Sequence, residues 1–76
     1  MTAPLITRAG AALYGEHYPE QLARALGVDA RTARRWAAGT MNPRAGVWRD
    51  LWALIVERRA EIDRLLAEIT AETMRE

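Results

Sequence analysis

Residues 19–39, PEQLARALGVDARTARRWAAG, carry two short amphipathic helical patterns joined across a glycine. In the first pattern Leu22, Ala23 and Leu26 share one face of a helix, because residues one and four positions apart lie on the same side. Gly27 follows the last apolar residue, where a left-handed backbone can end a helix and turn the chain. The stretch therefore predicts a helix-turn-helix.

The second pattern predicts a helix over 30–38 that begins after Asp29 and ends at Gly39. The Asp29 carboxylate can accept hydrogen bonds from the free N–H groups of the first turn and oppose the positive end of the helix dipole. At about 100° per residue, the residues predicted to be buried are Ala30, Ala33, Trp36 and Ala37. The residues predicted to face outward are Arg31, Thr32, Arg34, Arg35 and Ala38.

This motif resembles the helix-turn-helix regulators of the Cro and lambda-repressor (XRE) type. The resemblance covers about residues 5–56 and rests on Ala23, Gly27 and Trp36, with Leu22, Leu26 and Val28, followed by Gly39 and Pro43. Ala33 is smaller than the usual Ile or Val, and Asp29 stands where a hydroxyl residue is commoner. The resemblance implies an all-α compact bundle with a central helix-turn-helix, whose 30–38 helix enters the major groove of double-stranded DNA.

The same resemblance places the DNA-binding surface on the outward side of the 30–38 helix. Arginine there can bond bidentately to guanine or pair with phosphate. The predicted DNA-binding residues are Ala30, Arg31, Thr32, Arg34 and Arg35, together with Gln21 and Arg44. Arg44 and Arg49 flank the start of the next helix and are candidates for phosphate contact, with two solvated arginines as the alternative.

Helices are also predicted on both sides of the motif. Residues 4–14 form the first, with an apolar stripe of Leu5, Ile6, Ala9 and Leu13, and residues 16–18 connect it to the motif. Residues 40–44 read as a turn. Residues 47–74 contain neither glycine nor proline and predict a long C-terminal helix of about 27 residues, or about 40 Å.

The long helix changes character along its length. Residues 48–56 are apolar nearly all round, which predicts burial in a core or an interface. An apolar residue recurs every seven positions, at Trp48, Ile55, Ile62 and Ile69, as in a coiled-coil seam, although Arg58 and Glu72 interrupt the companion positions of that seam. We predict a homodimer joined through Ile55, Ile62, Leu65, Leu66 and Ile69. The alternative is a helix that breaks near Arg58 and folds back on the domain.

Composition limits the remaining possibilities. A chain of 76 residues is one domain at most and buries only about 60% of its unfolded surface, so its stability is expected to be modest or to need a partner. It contains no cysteine, which excludes a disulfide framework or a zinc finger. The net charge is +1, but six arginines lie between Arg24 and Arg49 against the single acid Asp29. No metal, cofactor or small-molecule ligand is predicted.

Other function classes have little support. No apolar run reaches the length of a signal peptide or of a membrane span, so a soluble cytoplasmic protein is predicted. The chain has no serine or cysteine nucleophile, one histidine and no glycine-rich phosphate loop, so it is not predicted to be an enzyme.

The predicted organisation is therefore a helix-turn-helix DNA-binding domain over 1–56 and a dimerising extension of the last helix over 57–76. The resemblance implies a small repressor or autoregulator, of bacterial or phage type, that binds an inverted-repeat operator. The alternative is a protein-interaction module, such as an anti-defence or adaptor protein, on the same scaffold. Three tryptophans would suit such an interface if they were exposed: Trp36, Trp48 and Trp52.

Overall fold

The computed structural model describes residues 3–75, in which the chain forms four α-helices and no strand. The helices are α1 (Leu5–Tyr14), α2 (Tyr18–Leu26), α3 (Ala30–Ala38) and α4 (Ala45–Arg75). The all-α fold with a long last helix is confirmed. Residues 1, 2 and 76, at the ends of the predicted 1–56 and 57–76 regions, lie outside the described residues.

The pair α2 and α3 forms the helix-turn-helix that the sequence predicts. The two helices pack closely because both contribute a buried alanine, Ala23 and Ala33, whose small side chains let the backbones approach. Gly27 ends α2 with φ +70°, a left-handed conformation that costs glycine little. The N–H of Val28 then donates to the Ala23 carbonyl over 2.9 Å, which satisfies a free carbonyl at the end of α2.

Both predicted ends of α3 are confirmed. At its start, the Asp29 side chain accepts a hydrogen bond from the Arg31 N–H over 2.8 Å. At its end, Gly39 adopts φ +78° and the Thr40 N–H donates to the Arg35 carbonyl over 3.0 Å. The helix is thus closed at both ends by local hydrogen bonds.

The core joins all four helices. Its buried members are Ile6, Leu13, Tyr18, Leu22, Ala23, Ala33, Trp36 and Leu51. The predicted burial of Ala37 is wrong, since Ala37 is exposed, and Leu5 of the predicted α1 stripe is also exposed. Ala37 is exposed although it lies on the same side of α3 as the buried Ala33. Leu5 is exposed because its position is rotated by about 100° around the α1 axis from that of Ile6, which is buried.

The prediction that Tyr18 belongs to the connector is wrong. Tyr18 is the first residue of α2, and it is buried. Its ring lies against Gly10 of α1, so closely that a methyl group on Gly10 would overlap it. Its hydroxyl is 3.2 Å from Thr7 Oγ1. The glycine in α1 is therefore explained by the space that the Tyr18 ring needs.

The last helix, α4, is continuous over 31 residues, so the predicted alternative of a break near Arg58 is wrong. It begins two residues before the predicted start at 47. Its first half packs on α1 and α2 through Leu51, whereas Trp52 on its flank is 67% exposed. Beyond Arg58 the described residues of α4 are all exposed. No helix within residues 3–75 has both the length and the apolar character needed to cross a membrane.

We expect Gly10→Ala to lower the free energy of unfolding by about 1–3 kcal/mol, because the added methyl group displaces the Tyr18 ring. Gly46→Ala is the matched control. Nothing lies within 4 Å of a Cβ placed on Gly46, so alanine should stabilise α4 by up to about 1 kcal/mol through its helix propensity. Urea unfolding followed by circular dichroism measures both changes. Effects of equal sign would contradict the Gly10–Tyr18 contact.

Candidate nucleic-acid interface

The arginine face, defined as Arg31, Arg34 and Arg35, lies on the outward side of α3, and all three side chains are exposed. They share a side because they are three and four positions apart. The opposite side of α3 is held in the core by Ala33 and Trp36. Burial on one side of the helix therefore presents three guanidinium groups to solvent on the other.

Asp29 is the acidic residue nearest to this face along the chain, and its carboxylate caps α3. Because the carboxylate accepts from the Arg31 N–H, its charge is held against the positive end of the α3 dipole. Asp29 thus has a structural role at the start of the helix.

A second acid reaches the arginine face from α2. The Glu20 carboxylate accepts a hydrogen bond from Arg34 Nη1 over 3.0 Å, and both side chains remain about half exposed. Hydrogen bonding to its backbone N–H, and then to Arg34, lowers the pKa of Glu20 below its ordinary value. Sequence reasoning missed this pair, since its members are 14 residues apart on different helices and meet only through the turn at Gly27.

Other predicted DNA-binding residues lie around a cleft of about 670 Å³ that borders α3, the 39–44 loop and the start of α4. Thr32 and Arg44 both line this cleft, together with Asp50, so the fold brings two predicted residues from separate elements to one surface. Thr32 and Ala30 are half-buried, whereas Arg44 is exposed. The side of α3 that faces the loop is therefore bordered by a mostly apolar cleft, with Thr32, Arg44 and Asp50 among its polar residues.

Gln21 has different surroundings from those of the arginine face. It is exposed in a shallow depression that Tyr14, Arg24 and Ala25 also line. The residue of α2 that contacts an α3 arginine is its neighbour Glu20. Arg49 is exposed on α4.

A second surface lies on the far half of α4. The α4 stripe, defined as Ile62, Leu65, Leu66 and Ile69, consists of apolar side chains that are 50–62% exposed. Ile55, the fifth residue predicted for dimerisation, is half-buried beside α1. It lines the α1–α4 groove, a depression of about 200 Å³ formed by Ala12, Leu13, Ile55, Arg58, Arg59 and Ile62.

Arg34→Ala should raise the pKa of Glu20 toward, but not up to, the ordinary carboxyl value, because the backbone hydrogen bond remains when the guanidinium is removed. Since the folded-state pKa of Glu20 is lowered, its contribution to stability is present above the unfolded pKa and is lost as pH falls through the folded value. An NMR titration of the Glu20 carboxyl measures the shift. Arg31→Ala serves as the control, and an unchanged pKa in Arg34→Ala would contradict the ion pair.

Comparisons of the chain with protein-family models, with curated proteins and with solved structures give no match. The function of the arginine face and of the α4 stripe is therefore inferred from the side chains themselves.

Proposed function

We propose that this chain is a sequence-specific DNA-binding transcriptional regulator that presents α3 to the major groove of double-stranded DNA. The observation that carries the proposal is the arginine face, on a helix that is anchored on its other side by Ala33 and Trp36. A rigid helix with exposed guanidinium groups can enter a groove about 12 Å wide and bond to guanine edges. The resemblance to Cro and lambda-repressor regulators supports the same assignment.

The arginines have different roles in this proposal. Arg31 and Arg35 have no ion pair within residues 3–75 and are assigned to base reading, with Thr32 beside them. Arg34 is paired with Glu20, so its contact with DNA requires it to leave that carboxylate. Arg44 and Arg49 flank the start of α4 and are assigned to phosphate contact. Ala30 and Gln21 complete the proposed surface at its edges.

The regulator acts as a homodimer in this proposal, joined through Ile55 and the α4 stripe. A single recognition helix covers only a few base pairs, so regulators of this kind gain affinity by pairing. Two-fold pairing implies an inverted-repeat operator with half-sites about 34–36 Å apart. By analogy with the family, we assign a cytoplasmic repressor or autoregulator of bacterial or phage type.

A second candidate function is a protein-interaction module, such as an anti-defence or adaptor protein. The observation that favours it is Trp52, which is 67% exposed on the first half of α4 and could serve as an interface anchor. The other two tryptophans give it less support, since Trp36 is buried and Trp48 half-buried. DNA binding by the purified chain distinguishes the two functions.

The chain should bind duplex DNA with a strong salt dependence, each neutralised phosphate adding about −0.9 to the slope of log affinity against log salt. Arg31→Ala and Arg35→Ala should each lose about 1–3 kcal/mol of discrimination between operator and random DNA, because bidentate contacts to bases are lost. Arg44→Ala should weaken binding to operator DNA and to random DNA equally. Fluorescence anisotropy with DNA from upstream of its own gene and with random DNA measures these effects.

The control for these substitutions is Arg64→Ala, which removes the same charge from the exposed far half of α4. It should leave DNA affinity nearly unchanged. Equal losses on operator and random DNA for Arg31→Ala and Arg35→Ala would show that neither side chain reads a base. Absence of binding at low salt would overturn the DNA-binding proposal itself.

Ile62→Glu combined with Ile69→Glu should convert the proposed dimer to a monomer, because burying each apolar side chain contributes about 1.5–3 kcal/mol. Ala60→Glu combined with Ala67→Glu is the matched control, since it adds the same two charges, seven residues apart, on the opposite side of α4. Light scattering at micromolar concentration measures the mass. A dimer that persists in the isoleucine variant would place the interface elsewhere.

A further inference from the structure

A single apolar face runs the whole length of α4. Leu51, which is buried against α1 and α2, lies on the same side as Ile62 and Ile69, which are about three and five full turns further along. The globule formed by α1, α2 and α3 covers this face only at its first half. From Ile62 onward the same face is exposed.

We propose that a second copy of the chain covers this face in the antiparallel direction, with Ile69 of each chain seated in the partner's α1–α4 groove. The inference rests on the homodimer of the proposed function and adds the orientation and register of the two helices. Three observations carry it: the position of the globule, the distribution of charge along α4, and the shape of the groove beside α1.

The position of the globule opposes parallel pairing. In a parallel pair the same faces of both α4 helices would meet along their length, with axes about 8–10 Å apart. At Leu51, however, that face is already occupied in each chain by its own α1 and α2. The globules of the two chains would therefore overlap sterically. Antiparallel pairing places them at opposite ends of the helix pair.

The charges along α4 favour the same direction. Parallel pairing sets every charge level with its own copy, and at the seam positions Arg58 would face Arg58 and Glu72 would face Glu72. The stretch 61–72 carries four acids and one arginine, whereas Arg58 and Arg59 lie at its base. Antiparallel pairing brings the acidic stretch of one chain to the two arginines of the other.

Opposite charges meet in the register that sets Ile62 of one chain level with Leu65 of the partner. It sets Arg59 level with the partner's Glu68. It also brings Glu61 near the partner's Glu68, but Glu61 already has Arg58 of its own chain 3.8 Å away. This register therefore pairs Ile62 with Leu65 and Arg59 with Glu68 across the two chains, and it sets Ile55 and Ile69 level with the partner's Glu72 and Arg58.

The groove and two further apolar residues fit this register. Ile69 comes level with the partner's Arg58, at the middle of the α1–α4 groove, whose walls are mostly apolar. Trp52 comes level with the C-terminal end of the partner's helix, next to its Met74. Both are strongly exposed, Trp52 at 67% and Met74 at 81%, and both would be covered.

This arrangement also sets the distance between the two DNA-binding units. The helices would cross between residues 63 and 64, about 13 residues or about 20 Å from Leu51 in each chain. The two copies of Leu51, at which each globule packs on α4, would then be about 40 Å apart along the helix pair, the same order as the 34–36 Å between half-sites one turn apart on DNA.

Cross-linking tests the orientation, since the chain has no cysteine of its own. Two single variants, Ala12→Cys at the groove and Glu72→Cys on the far half of α4, are mixed, equilibrated and treated with a short bismaleimide. We expect a linked heterodimer in the mixture and none with Glu72→Cys alone, because antiparallel pairing holds the two copies of residue 72 about 25 Å apart. The control for cross-linking by random collision is a mixture of Ala25→Cys, on α2, with Glu72→Cys.

The other outcomes overturn the inference and identify which part fails. A Glu72→Cys chain that links to itself would show parallel pairing, and the homodimer would stand. If the parent chain is dimeric but the mixture of Ala12→Cys and Glu72→Cys cross-links no more than the Ala25→Cys control, the interface lies elsewhere. A parent chain that is monomeric by light scattering would remove both this inference and the homodimer, while DNA binding by anisotropy would still test the remainder of the proposed function.

Discussion

The close packing of α2 on α3 determines the position of the arginine face. It depends on two buried alanines, Ala23 and Ala33, and on a turn that begins with a left-handed glycine at 27. Trp36 then fills the space under α3. Because this side of α3 is buried, the arginines on its other side are exposed to solvent. A larger residue at either alanine would rotate or separate the helices and so redirect the arginine face.

Arg58 marks the boundary between the globule and the protruding half of α4. Its guanidinium donates to the Leu13 carbonyl over 2.6 Å and lies 5.7 Å from the centre of the Tyr14 ring. The hydrogen bond satisfies a free carbonyl at the end of α1, which needs a partner outside its own helix. The charge at this companion position of the seven-residue seam is thus explained by a contact with another helix.

Local patterns were sufficient to predict most of the fold. The glycine at 27, the cap at Asp29 and the end of α3 at Gly39 were predicted because each depends on a few neighbouring residues. The contacts that were missed join distant positions: Gly10 with Tyr18, and Glu20 with Arg34. Helical periodicity identifies the side of a helix but not what faces it, which is also why the predicted burial of Ala37 was wrong. The arginine face was predictable, whereas the carboxylate that lies on it was not.

The protruding half of α4 has a thermodynamic consequence. Beyond Arg58 its described residues are all exposed, so its helical state depends mainly on local propensity and on hydrogen bonds along its own backbone. Isolated helices of this length are marginal in water, because nucleation is costly and each added residue contributes little. A molecule that covers the apolar stripe would therefore also supply the stability that the helix lacks. Ordering of this segment and occupancy of its surface form one linked equilibrium, in which partner concentration sets helix content.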